Sequence, residues 1–404
     1  MCAHRLAGLS LRAVSERTLL SSTRAPSFEE IALADGIAAW GAAFDGLTDW
    51  WAGVLRRGST PPELLGDWIR WLGVATHRRR PRWSSPNEVV FEAPVARLRD
   101  FSTARQSRVL PTLVLPPQAG HDSCIVDYSP GQSQMRAIRA AGLERAYALD
   151  WIGATAGTKD ATIDDYLDVV DRATDHVGDP VNLIGDCQGG WLATIYAALR
   201  PERINTLTIA GAPVDFHAGE PVIHAALRSL APDGNLALYR GLVAAGGGVL
   251  RGEHMLAGFI SMKPDNEVAR QMQLLASLDD PAHVERYREF EDWFKYTQAI
   301  PGAFYLWIVE HLFRDNELIA GKLECRGERV DLGRIECPLN LLAGAADHIT
   351  PPDQVFALAD YAATPAAETE CRLASGGHLG LFMGREALRD HWRPLLAAVR
   401  ARSG

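Results

Sequence analysis

Three observations predict an α/β fold: a doubly wound, mostly parallel sheet with a helical cap insertion and an N-terminal helical region. From about residue 86 to 215, short apolar runs alternate with amphipathic stretches of helical length, which is the rhythm of βαβ units. One of those runs, "VNLIGD" at 181–186, breaks into Cys-Gln-Gly and passes directly into a helical pattern. From about 216 to 335 the rhythm stops, and at Cys337 it resumes with two short strands that each end in a glycine loop.

The elements follow in order. Residues 1–26 are rich in Arg and Ser, with Glu16 the only acid and no continuous apolar stretch. They read as a poorly ordered tail and not as a secretory signal. From 27 to 85 the pattern is helical and holds Trp40, Trp50, Trp51, Trp68, Trp71 and Trp83 out of the chain's eleven tryptophans. Most of these are expected to pack onto a core, because tryptophan is highly buried on average. An exposed set would make an apolar patch for a partner, a lipid or a hydrophobic polymer.

"NEVVFEAPVARLRDF" alternates as one or two early strands. "TLVLPPQAGHDS" reads as strand, turn and helix start, and "RAYALDW" as the next strand, ending on Asp150 and Trp151. "DDYLDVVDRATDHV" is an amphipathic helix leading to the 181–186 strand, and "INTLTIAGAPVDF" is a further strand with its loop. The mostly helical, irregular sequence at 216–335 includes "IPGAFYLWIVEHLF". An insertion at this point would roof a site at the strand ends. The domain plan is therefore a tail (1–26), a tryptophan-rich helical region (27–85), a core (86–215 with 336–404) and a cap (216–335).

Composition bounds the function classes. At 404 residues, 47% hydrophobic and 23% charged, the chain has the make-up of a globular protein with a large core. A formal net charge of −9 and a single dense basic run, "HRRRPR" at 77–82, argue against a nucleic-acid face. No apolar run approaches the roughly 20 residues that a transmembrane helix needs. Six scattered cysteines, at 2, 124, 187, 325, 337 and 371, contain no C-x-x-C pair. They are expected to be free thiols in a reducing compartment, with no disulfide framework and no metal site.

The chemistry is carried by Gly185-x-Cys187-x-Gly189. Its spacing is that of the G-x-S-x-G nucleophile elbow of the α/β-hydrolase fold, with a strand before and a helix after. The turn strains the nucleophile's backbone, and the glycines let strand and helix approach. An elbow requires its partners in the order nucleophile, acid, histidine. "CPLNLLAGAADHITPP" supplies a strand and then Asp347 and His348; "ECRLASGGHLGLFMG" supplies a strand and then His378. Taken singly, Asp347 reads as a turn starter, His348 as a solvated side chain and His378 as a cap. Their joint order at successive strand ends selects Cys187, Asp347 and His378 as nucleophile, orienting acid and base.

"NLIGDCQGGWLATIYAALRPERINTLTIAGAPVDF" closely resembles the nucleophile region of polyhydroxyalkanoate synthases, and "ALDW" with "IDDYLDVVDRATDHV" resembles the segment before it. "CPLNLLAGAADHITPP" and "GGHLGLFMG" are similar to that family's aspartate and histidine loops, so the likeness spans roughly 110–400. Two features lean toward intracellular polyhydroxyalkanoate depolymerases: Pro-x-x-Gly-His in "PPQAGHDS", and "IPGAFYLWIVEHLF" in the cap. The resemblance implies acylation of Cys187, with 3-hydroxyacyl-CoA polymerised into polyester or, in the alternative, a polyester or acyl-CoA thioester hydrolysed by the same triad.

The oxyanion would be met by the backbone N–H of Gln188 and by one from the loop at Gln118 and Ala119. His121 either lines that loop or stabilises its turn. Asp186 is expected to point away from Cys187, since a carboxylate beside a thiolate opposes it. Trp151, Trp191, Trp307 and His348 complete the candidate pocket. No cofactor is expected, coenzyme A being part of the substrate or product. A cytoplasmic, granule-associated location follows from the resemblance, and a homodimer stays open.

Overall fold

The computed structural model describes residues 28–104, 106–219 and 221–404; the tail proposed at 1–26 lies outside them. In chain order, two helices come first, α1 (Phe28–Arg57) and α2 (Pro61–Thr76). They precede β1 (Glu88–Glu92), β2 (Ala96–Asp100), β3 (Thr112–Leu115) and β4 (Ala146–Trp151). Then follow α3 (Ile163–Val177), β5 (Val181–Asp186), α4 (Gln188–Leu199) and β6 (Ile204–Ala210). The intervening segment contains α5 (Pro264–Ala276), α6 (Pro281–Phe294) and α7 (Gly302–Trp307), before β7 (Leu339–Gly344) and β8 (Thr369–Ala374) close the sheet.

The chain divides into two compact units. Residues 82–251 and 298–404 form the first, and the segment up to Pro81 joins 252–297 in the second. The sequence boundaries at 86, 216 and 336 all fall inside the first unit.

The first unit is built on an eight-stranded sheet in the order β1-β2-β4-β3-β5-β6-β7-β8. Only β2 runs against the others: it pairs antiparallel with β1 and β4, and every later pair is parallel. This is the α/β-hydrolase arrangement expected from the sequence. Strands β3 to β7 are buried along nearly their whole length, which is why they read as continuous apolar runs: helices cover both faces. Edge strand β1 is mostly exposed and bounded by Glu88 and Glu92, charges that discourage further pairing. Helix α3 starts on a capping box, Thr162 with Asp165, and its apolar face is buried. Helix α4 is buried from Gly189 to Leu199, so the elbow helix is core rather than surface.

The second unit packs α1 closely on α5, where a Cβ at Gly46 would overlap the Met272 side chain. Trp50, Val54, Val74, Leu274, Leu275 and Tyr287 make its core. Glu291, fully buried, is neutralised by Arg78 at 3.0 Å, Arg270 at 2.7 Å and Lys295 at 2.8 Å; without those cations its burial would be prohibitive. The expectation that most of the six tryptophans pack inward fails here. Trp50 is buried, but Trp40, Trp51 and Trp68 are exposed. The physical reason is the choice of inward face: α1 approaches α5 through small residues around Gly46, and Trp40 and Trp51 project elsewhere.

Among the described residues no helix is long and apolar enough to cross a membrane. Cys124, Cys187, Cys325 and Cys337 are free thiols. Cys371 is disulfide-bonded, which corrects the expectation of free thiols throughout. Spacing along a chain registers local pairs, whereas a disulfide depends on which Cα atoms the fold brings within about 4.4–6.8 Å.

Candidate active site

Cys187 occupies the turn between β5 and α4 with φ +51° and ψ −118°, the strained conformation that an elbow demands. Its N–H donates to Ala210 O at the end of β6 (2.9 Å), and its carbonyl accepts from Gly190 N–H (2.9 Å). A Cβ at Gly185 would lie 2.5 Å from Gly189 O, and one at Gly189 would overlap Leu115 O. Both glycines are therefore required for packing, and the second seats α4 against the end of β3. That contact brings the loop at 116–121 beside the elbow.

The loops after β7 and β8 bring in the other two residues. Asp347 is held by its own turn: Oδ1 accepts the N–H groups of Ile349 and Thr350, both at 2.9 Å. Oδ2 lies 2.7 Å from His378 Nδ1. Cys187 stands beside the same imidazole, so the structure brings the three sequence-selected residues together. Asp347 and His378 are buried, and Cys187 is half-buried. Burial by itself would lower the His378 pKa. The Asp347 carboxylate and neighbouring Cys187 outweigh it and hold the imidazole well above its ordinary range. Phe382, one helical turn on, sets its edge against the ring with centroids 5.3 Å apart.

The oxyanion candidates lie at the start of α4 and in the loop after β3. Gln188 is the first residue of α4, where N–H groups have no intrahelical acceptor. Gln118 and Ala119 are buried in the loop after β3. Gln118 Nε2 donates to Tyr166 OH on α3 at 2.6 Å, and Gly120 O accepts from Gln298 N–H at 2.8 Å. His121 is buried in the same loop. Trp151 Nε1 donates to Pro116 O at 2.8 Å, which fixes the start of this loop. Trp191 is buried on α4 and meets Phe304 and Trp307 of α7, each at 6.2 Å. His348 is half-buried beside Asp347. A 640 Å³ cleft lies elsewhere, at the starting ends of β5 and β6 among Pro180, Pro201, Ile204 and Cys337.

Asp186 ends β5 directly before the elbow. It is fully buried, and Gln134 Nε2 donates to its Oδ1 at 3.3 Å. Burial pushes its pKa up to about 8, so at neutral pH the acid is chiefly uncharged and does not oppose a thiolate at Cys187. The sign of the linkage follows. The unfolded carboxyl ionises near pH 4 while the native one holds its proton to about 8, and the native state loses stability across that window. Asp186→Asn should therefore raise stability near pH 7 by about 1–3 kcal/mol and add little near pH 4. Urea midpoints at the two pH values would check this; an equal effect at both would contradict a protonated Asp186.

Tyr166, Gln134, Gln298 and Phe382 were not foreseen. Tyr166 and Gln298 contact the 116–121 loop from distant elements, Gln134 binds Asp186 from another, and none of the three has a local signal. Phe382 had one, its i+4 spacing from His378 in "GGHLGLFMG".

A family model described as "Protein of unknown function (DUF3141)" matches residues 97–400. The chain is 27% identical over 317 residues to the poly(3-hydroxyalkanoate) polymerase subunit PhaC of Haloferax mediterranei, covering 76% of this chain and 62% of that protein. It is 28% identical over 273 residues to the PhaC subunit of Allochromatium vinosum, covering 66% of this chain and 74% of the relative. The resemblance to polyhydroxyalkanoate synthases is thus borne out. Among solved structures it is similar to a monoacylglycerol lipase of Paleococcus ferrophilus, with 17% identity and a TM-score of 0.48, covering 76% of this chain and 98% of that one.

Proposed function

We propose that this chain, which belongs to the DUF3141 family, is a cysteine acyltransferase that polymerises 3-hydroxyacyl groups from coenzyme A thioesters into polyester. The observation that carries the reading is a cysteine at the elbow beside a histidine whose Nδ1 lies 2.7 Å from a buried carboxylate. The similarity to poly(3-hydroxyalkanoate) polymerase subunits supports the substrate class.

In the first half-reaction His378 takes the Sγ proton of Cys187, and the thiolate attacks the thioester carbonyl. Charge gathers on the carbonyl oxygen, where the N–H of Gln188 and one from the loop at Gln118 and Ala119 would meet it. The C–S bond to coenzyme A breaks, and His378 returns the proton to the departing sulfur. In the second half-reaction the hydroxyl of a hydroxyacyl unit or growing chain gives its proton to His378 and attacks the acyl-Cys187. Collapse forms the new ester and releases the Cys187 sulfur, which recovers the proton. Cysteine suits this sequence because exchange between two thioesters swaps leaving groups of similar pKa. Expelling an alkoxide from an oxygen ester needs protonation by His378. Coenzyme A enters as part of the substrate. The cytoplasm, at a polymer granule surface, is the location this chemistry suits.

A depolymerase or thioesterase with the same triad is the second reading, favoured by the Pro-x-x-Gly-His pattern of the 116–121 loop. The two differ in what discharges the acyl-enzyme. Supplied with 3-hydroxybutyryl-CoA, the protein should release coenzyme A together with insoluble polymer, and acylated Cys187 should be discharged faster by added hydroxyacyl oligomer. Free acid formed at a rate indifferent to the oligomer would establish the hydrolase reading instead.

A further inference from the structure

Residues 116–120, after β3, belong to no helix or strand, so their N–H groups are aimed by contacts and not by a backbone ladder. The loop is held near each end: Trp151 Nε1 donates to Pro116 O, and Gln298 N–H donates to Gly120 O, both at 2.8 Å. Halfway between stands Gln118, buried, with its Nε2 donating to Tyr166 OH at 2.6 Å. Tyr166 is fully buried near the start of α3. Its ring stacks on Phe304 of α7, with centroids 4.0 Å apart and planes at 21°, and tilts against Trp151 at 5.5 Å. Phe304 in turn meets Trp191 on α4, the elbow helix, at 6.2 Å. Of these four rings only Tyr166 carries a hydroxyl. A phenol placed among apolar rings costs desolvation unless it finds a partner, and the partner it has is the middle of the loop.

We propose that Tyr166 and Gln118 are positioning residues for acyl transfer: the phenol hydroxyl fixes the middle of the loop, and so aims a loop N–H at the carbonyl oxygen of the acyl group on Cys187. This rests on the acyl-transfer reading of the Cys187 site. A preorganised donor works only where it is placed, and a displacement of about 1 Å can cost about 100-fold in rate. Holds at Pro116 and Gly120 leave the peptides between them free to tilt. A third hold at Gln118 removes that freedom. The hydroxyl serves well as that hold, because a ring stacked on Phe304 cannot swing. Trp191 ties the same stack to the helix that begins at Gln188, the other oxyanion donor. Both donors are thereby referred to one set of packed rings. Neither positioning residue exchanges a proton: an amide does not titrate, and burial raises the Tyr166 pKa, which keeps the phenol neutral.

Tyr166→Phe keeps the ring and removes only the hydroxyl. Acylation of Cys187 by 3-hydroxybutyryl-CoA, followed by rapid quench and intact mass, should slow by about 10- to 100-fold, with the half-saturating concentration changed less than about twofold. Alkylation of Cys187 by iodoacetamide builds no charge on a carbonyl oxygen and should keep its wild-type rate. Gln118→Ala should show the same split. The double variant should be no slower than the slower single one, since both remove one contact. The pH profile of acylation should fall in height without moving its limbs, which belong to Cys187 and His378. Wild-type acylation in Tyr166→Phe and Gln118→Ala would overturn the positioning role. So would equal losses in acylation and alkylation, which would mean a general disturbance of the elbow. A wild-type protein that alkylates at Cys187 but forms no acyl-enzyme would sink the acyl-transfer reading itself, and the proposal with it.

Discussion

Cys187→Ala should fold to a wild-type near-ultraviolet spectrum, turn over no acyl substrate, and show no acyl-enzyme by intact mass spectrometry. The expected loss is at least about 10³-fold, the scale on which removing a covalent nucleophile leaves only binding and the oxyanion contacts. Brief iodoacetamide treatment should label Cys187 in the wild type, because it is half-buried and stands beside a base. Cys325, buried and with its pKa pushed up to about 12 by desolvation, should stay unlabelled, as a thiolate is the reactive form. Cys187→Ser is the sharper comparison. It keeps the elbow but replaces the sulfur, so thioester turnover should fall further than ester turnover. Undiminished activity in Cys187→Ala would remove this site from the reaction altogether.

Asp347→Asn should cost about 10³- to 10⁴-fold in kcat, comparable with the loss seen when a triad acid is neutralised elsewhere. An amide that offers N–H toward Nδ1 would select the wrong tautomer, leaving Nε2 protonated and unable to accept from the thiol. The same substitution should lower the pH at which His378 titrates. Burial already pulls that pKa down, and the carboxylate is the main influence lifting it. NMR of the imidazole ring protons would follow the shift. The linked stability has a defined sign as well. With the folded pKa raised, the contribution from His378 is fully present below the unfolded value of about 6.5 and is lost as pH rises through the raised value. The difference in unfolding free energy between wild type and variant should therefore shrink with increasing pH. An unchanged His378 titration would mean that the 2.7 Å contact is not what sets its charge.

Much of this arrangement was legible before any coordinates. Parallel strands covered on both faces must be continuously apolar, so β3 to β7 announce themselves as short runs between amphipathic helices. The elbow is local by nature: strand, strained nucleophile and two close-packing glycines fall within "GDCQG". Asp347 and His378 were readable because each follows its strand directly, at the sheet end where open α/β folds place their sites.

Other features belong to tertiary structure alone. That Asp186 is buried against Gln134, and so chiefly neutral at pH 7, depends on a side chain 52 positions away. The grip of Tyr166 on Gln118 is likewise non-local. The tryptophans of α1 are the clearest case. Sequence alone determined that this region is helical and rich in tryptophan. It did not determine which side faces the protein's own core. That was decided by the close approach at Gly46, where α5 can come nearest, and it left Trp40 and Trp51 facing outward.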